Sequence, residues 1–215
     1  MTRALVLCLL AACGSDGRGL AHTGDASIDT AVFASPAKSH MLFVVTTGIT
    51  LQPASAPDAT HDATPLVDAP TQLLPWRPAT PSKVVVDAIE HVLDPYGVAV
   101  VDVRPDAGPY DMIVLTDSEP GTTRAVVGTG CNAAESDVAV VYDHTPEIAA
   151  AQALALFAYL NGVPLSATAG DCLHLGGTTP CALAAQTMVD PAHACADPNA
   201  TMDERTELQA AFGSR

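Results

Sequence analysis

HTPEIAAAQALALFAYLNGVP, residues 144–164, reads as one buried helix around which the rest of the chain is organised. Thr145 suits the N-cap, Pro146 the first helical position where a missing N–H does no harm, and Glu147 the positive end of the helix dipole. Asn161 and Gly162 end it, since glycine takes the left-handed conformation of a helix terminus and Pro164 prevents continuation. After Glu147 only Gln152 and the Tyr159 hydroxyl could face water. A helix apolar on every side belongs under other elements, at the centre of a domain.

Outward from this helix, periodicity predicts an α/β domain of the α+β type, with a mixed sheet and helices packed on it. HMLFVV, from His40 to Val45, is an apolar, β-branched run of strand length. Residues 52–81 hold seven prolines and read as a long loop, with Trp76, the only tryptophan, placed to pin it to the core. A first helix is expected from Ser82, as N-cap, to Asp94, with Val85, Ala88, Ile89 and Val92 at helical spacing, while the β-branched run Val84-Val85-Val86 leaves a strand open. Strands are expected at Val98–Val103, Asp111–Thr116, Ala125–Val127 and Val138–Tyr142, with Arg104–Pro109 as a turn. Residues 165–200 lack a sustained period and hold three cysteines, so this lobe is expected to depend on disulfides. A last helix spans Asp203–Phe212, capped by Thr201 or Asp203.

The chain of 215 residues suits one domain with a sizeable core. Its 48% hydrophobic content is globular, while 15% charged and 4% aromatic residues indicate an interior of alanine and valine. A formal charge of −15 argues against nucleic acid and against anionic lipid surfaces, because nothing clusters the Lys and Arg that phosphates require.

MTRALVLCLLAAC carries one positive charge and then an apolar run too short to span a bilayer, the pattern of a signal peptide over residues 1–12. LAAC, ending at Cys13, resembles the bacterial lipobox, which implies a lipid on Cys13 and a place in the cell envelope or outside the cell; residues 13–38, rich in Gly, Ser, Asp and Ala without a clear period, read as a flexible tether. Of the six cysteines, Cys8 then lies in the leader and Cys13 bears lipid, which leaves Cys131, Cys172, Cys181 and Cys195. An exported chain meets an oxidising compartment, so two disulfides are expected; of three connectivities, Cys181 with Cys195 and Cys131 with Cys172 is favoured. A zinc site is the rival use of these thiols, although no CxxC pair is present.

Several stretches together resemble a family of bacterial secreted, metzincin-like zinc peptidases over residues 39–215. They are HMLFVVTTG, YGVAVVDVRPDAGPYDMIVL, the cysteine in VVGTGCN followed by SDVAVVYD, and DCLHL after the central helix. The resemblance implies a central helix bearing HExxHxxGxxH, in which histidines at i and i+4 share one face, glycine turns the chain towards a third ligand, and the glutamate acts on metal-bound water. Registered on Gly162, those positions are Ala155, Leu156, Tyr159 and Leu165. Leu173, in DCLHL, stands where the methionine of a Met-turn is expected. The ligand chemistry is therefore missing, and the resemblance implies a pseudoenzyme without cofactor, binding a peptide, protein or glycan.

Two other functions compete with it. One is an active zinc metallopeptidase with atypical ligands such as His144 and His174. The other is a structural envelope lipoprotein of unrelated fold. His193, near Asp190 and Asp197, could join a new metal site, though no pair of histidines has ligand spacing on one element. His40 and His91 read as strand-start and helix-face residues. Ser118 and Ser166 lack a GxSxG context, and no Gly-rich phosphate loop is present.

Overall fold

The computed structural model describes residues 40–78, 81–119, 136–191 and 199–214. Their architecture is α/β with three helices. Four strands, β1 (Met41–Val45), β5 (Ala99–Val101), β6 (Asp111–Leu115) and β7 (Val138–Val141), form a sheet of order β5-β1-β6-β7. Every pairing described in this sheet is parallel, with Leu42 opposite Asp111 and Met112 opposite Val138. Antiparallel pairing occurs in the smaller sheets. The expected strand Ala125–Val127 lies outside the described residues.

Parallel strands buried on both faces need no polar alternation, and β6 and β7 are accordingly apolar nearly throughout. Their side chains still alternate between two cores. Leu42, Val44, Ile113, Leu115, Ala139 and Val141 face one cluster with helices α1 (Ser82–Leu93) and α2 (Pro146–Leu160). Phe43, Val45, Met112, Val114, Val138 and Val140 face the other, completed by Leu51, Leu66, Leu73 and Tyr110.

The second core is covered by part of the stretch expected to be one long loop. The cover is built from β2 (Ile49–Pro53), which starts ahead of that stretch and ends inside it, a 3-10 turn at Ala59–His61, β3 (Ala63–Thr64) and β4 (Thr71–Leu73), the strands paired in the order β3-β2-β4. The prolines are accommodated because Pro53 ends β2, while Pro70 and Pro75 flank β4. Trp76 is buried, and its indole N–H donates to the Asp143 carbonyl at 2.9 Å, tying this layer to the entrance of α2. Ser82 is the first helical residue of α1, not its cap; Pro81 holds the cap position with extended backbone. The buried positions of α1 are Val85, Val86, Ile89 and Leu93.

Both ends of α2 are where the local chemistry puts them. Pro146 opens it, and the Thr145 N–H is taken by the Asp143 carboxylate at 2.8 Å. At the other end Gly162 adopts φ +85°, its N–H donates to the Tyr159 carbonyl, and the Val163 N–H donates to Ala158. That pair of bonds is a Schellman ending. From Ala153 to Leu160 every residue of α2 is buried.

Beyond α2 the lobe has little regular structure: β8 (Thr187–Met188) and β9 (Thr201–Met202) pair antiparallel, and α3 (Glu204–Phe212) closes the chain. Asp203 caps α3 by accepting from the Thr206 N–H at 2.9 Å. The lobe does contain a disulfide, but between Cys172 and Cys181, which overturns both favoured pairings, Cys181 with Cys195 and Cys131 with Cys172. A parallel bridge between Asp171 and Ala182 brings the neighbouring cysteines to a Cα separation of 5.1 Å. Closing this short loop contributes roughly 2.7 kcal/mol in the chain-entropy model. Cys131 and Cys195, like Cys13, lie outside the described residues.

Candidate functional site

Gly162 turns the chain back so that Leu165 returns to the side of α2. There Leu165 (1% exposed) meets Ala155 and Tyr159, one helical turn apart, in a small apolar cluster separate from the two main cores. Half-buried Leu175, from the DCLHL stretch, packs on the same cluster. Three of the four positions registered on Gly162 therefore converge. The fourth, Leu156, is buried in the main core. Leu173 is also in that core, and its backbone N–H donates to Glu204 at 2.9 Å.

These side chains do not fit a zinc ion. Ala155, Leu165 and Leu175 present only carbon, and Tyr159 alone brings an oxygen. Among the described residues no three His, Cys, Asp or Glu side chains are grouped so as to hold a metal ion. His144 is exposed and its Nδ1 lies 3.0 Å from the Asp117 carboxylate. The His174 Nδ1 lies 2.9 Å from the Ser166 carbonyl, which can only accept, so Nδ1 carries the proton. His40 packs edge-on against Phe212, and His91 is exposed on α1. His193 and Asp197 lie outside the described residues, while Asp190 donates its N–H to the Leu165 carbonyl at 2.7 Å.

Two polar arrangements beside the cluster were not legible in the sequence. Ser166, fully buried, donates to Asp171 Oδ2 at 2.6 Å, lies 2.8 Å from the Thr187 hydroxyl, and accepts from the Thr168 N–H. It ties three segments of the lobe together. Glu204 is also fully buried, with one carboxylate oxygen accepting from Leu173 N–H and the other from Ala184 N–H, both at 2.9 Å. Burial pushes its carboxyl above the ordinary range, against these bonds. A glutamate at a helix start normally signals only the helix dipole.

On the opposite face of the sheet, Thr60 and the segment Arg104–Gly108 with Tyr110 line a cavity of about 510 Å³. Arg104 pairs with Asp62, donates to the Tyr110 hydroxyl at 3.1 Å, and lies over the Phe43 ring at 5.5 Å. Burial pulls its pKa down, but the Asp62 pairing outweighs this and the value is raised. Ser118 accepts from the Leu74 N–H at 2.8 Å and plays a structural part. No helix among the described residues is long and apolar enough to cross a membrane. No protein-family model, curated protein or solved structure matches the chain.

Proposed function

We propose that this chain is an exported protein, anchored to a membrane by a lipid on Cys13. Its domain, residues 39–215, is a catalytically inactive relative of the metzincin-like zinc peptidases, and it binds a peptide, protein or glycan in the cell envelope or outside the cell. The meeting of Ala155, Tyr159 and Leu165 supports this reading, because positions chosen in sequence only by their spacing from Gly162 pack on one another in space. Apolar packing takes the place of ligand chemistry there, so no step through a metal is assigned.

The test is metal content together with reinstatement of the ligands. Wild-type protein, dialysed against zinc and then buffer, is expected to hold none, whereas Ala155→His/Tyr159→His/Leu165→His is expected to bind one cobalt(II) with a tetrahedral visible spectrum. Stoichiometric zinc in the wild type would overturn the inactive reading, and a triple variant that folds yet binds no cobalt would overturn the metzincin-like one. The anchor is tested separately: Cys13→Ser should move the protein from membrane to soluble fractions.

A further inference from the structure

The segment between Cys172 and Cys181 runs antiparallel along one face of α2, stepping two residues for each helical turn. Thr179 donates its N–H to the Glu147 carbonyl at 3.0 Å, and its hydroxyl reaches the same oxygen at 3.3 Å. Gly177 is buried on Ala151, so close that a methyl group at Gly177 would stand 3.7 Å from the Ala151 methyl. Leu175 packs on Ala155 and Tyr159. The segment contains no helix or strand, and Gly176, Thr178 and Pro180 are exposed. Its ends, by contrast, are fastened twice, by the disulfide and by the Glu204 carboxylate, which holds Leu173 just inside one cysteine and Ala184 just beyond the other.

We infer that Cys172–Cys181 is a redox-released strap over the Ala151, Ala155 and Tyr159 face of α2: closed when oxidised, and lifted when a thiol reductant cleaves the disulfide. Cys181 is half-buried and Cys172 is buried, so the incoming thiolate meets the Cys181 sulfur first. It forms a mixed disulfide there and expels Cys172 as a thiolate, which takes up a proton. A second external thiol then displaces Cys181, so two thiols become one disulfide and both cysteines are reduced. With the covalent closure gone, the strap keeps the Glu204 clamp at its ends, the Thr179 bonds and the Leu175 contact, and its middle lifts to make the apolar face beneath accessible.

Cys172→Ser/Cys181→Ser, studied without reductant, removes this bond and leaves the other cysteines untouched. Cleavage within residues 173–180 by a broad-specificity protease should accelerate at least tenfold, and nitration of Tyr159 should rise with it. Amides of β1 and β6 should keep their protection from hydrogen exchange. Gly177→Ala should accelerate the same cleavage with the disulfide intact, because the new methyl would lie 3.0 and 3.1 Å from the His174 and Asp171 carbonyl oxygens and distort the turn that lays the strap on α2. Unchanged strap cleavage in both variants would overturn the inference. So would loss of β1 and β6 protection in step with strap cleavage in the double variant, since the disulfide would then staple the whole fold.

Discussion

The carboxamide of Asn161 donates to Asp111 Oδ2 at 2.8 Å, joining the last turn of the central helix to the first residue of the strand beneath it. The same nitrogen reaches the Phe157 carbonyl at 2.9 Å, and Asp111 Oδ1 accepts from the Asp137 N–H at the start of β7. One buried carboxylate thus fixes the height of α2 against two strands. Asn161→Leu removes this donor from Asp111 and should cost about 1.5–3 kcal/mol, the range for a hydrogen bond to a charged group. Urea denaturation measures it, and an unchanged midpoint would show that this tie contributes nothing.

Gly162 holds φ +85°, where a Cβ meets the adjacent carbonyl. Gly162→Ala should lower stability by about 1–2 kcal/mol, and Gly162→Asn by less, since asparagine tolerates the left-handed region. Thermal unfolding of the two variants side by side checks the order. Equal losses would point to crowding in place of backbone strain.

Phe212, in the last turn of α3, stacks on Phe157 of α2 with ring centroids 5.1 Å apart and planes within 6°. It is 6% exposed. Phe212→Ala should therefore cost about 3–5 kcal/mol, the range for emptying a buried aromatic site. Phe212→Leu should recover more than half of that. A loss below 1 kcal/mol for the alanine variant would mean that α3 is dispensable to the core.

Glu204 sets a pH dependence with a definite sign. Burial raises its folded pKa above the ordinary 4.5, so the native chain keeps a proton over a range where the unfolded chain has lost it. Its contribution is full below 4.5 and is lost as pH rises through the folded value. Asp58 and Asp203 work in the other direction and lower down: hydrogen bonds from Thr60 and Thr206 hold them below 3.8, and their contribution is lost as pH falls. Denaturation midpoints for wild type and Glu204→Gln between pH 4.5 and 7 should differ in slope, with the variant flatter. Parallel curves would show that Glu204 does not titrate in that window.

The fold was legible wherever the information was local. Met41–Val45, Asp111–Leu115 and Val138–Val141 are apolar runs that a doubly covered parallel sheet requires, and Pro146 and Gly162 punctuate α2 through backbone chemistry alone. The Pro-rich stretch concealed β3, β4 and the end of β2 because these strands are short and this layer gains stability from lying on Phe43 and Val45, not from its own propensity. Of the lobe, the sequence made legible only that it carries a disulfide, not which cysteines form it.

By itself, the sequence determined that α2 is a buried helix with these ends, and that Ala155, Tyr159 and Leu165 share a fixed spacing from Gly162. Tertiary structure alone decided that Cys172 pairs with Cys181, that Leu175 completes the apolar cluster, and that Glu204 is buried as a clamp on two backbone amides. The physical reason is one of range. Dihedral preference and periodicity are written within a few residues, whereas a disulfide partner or a buried carboxylate depends on which distant segments dock, and several dockings of this lobe satisfy the same local rules.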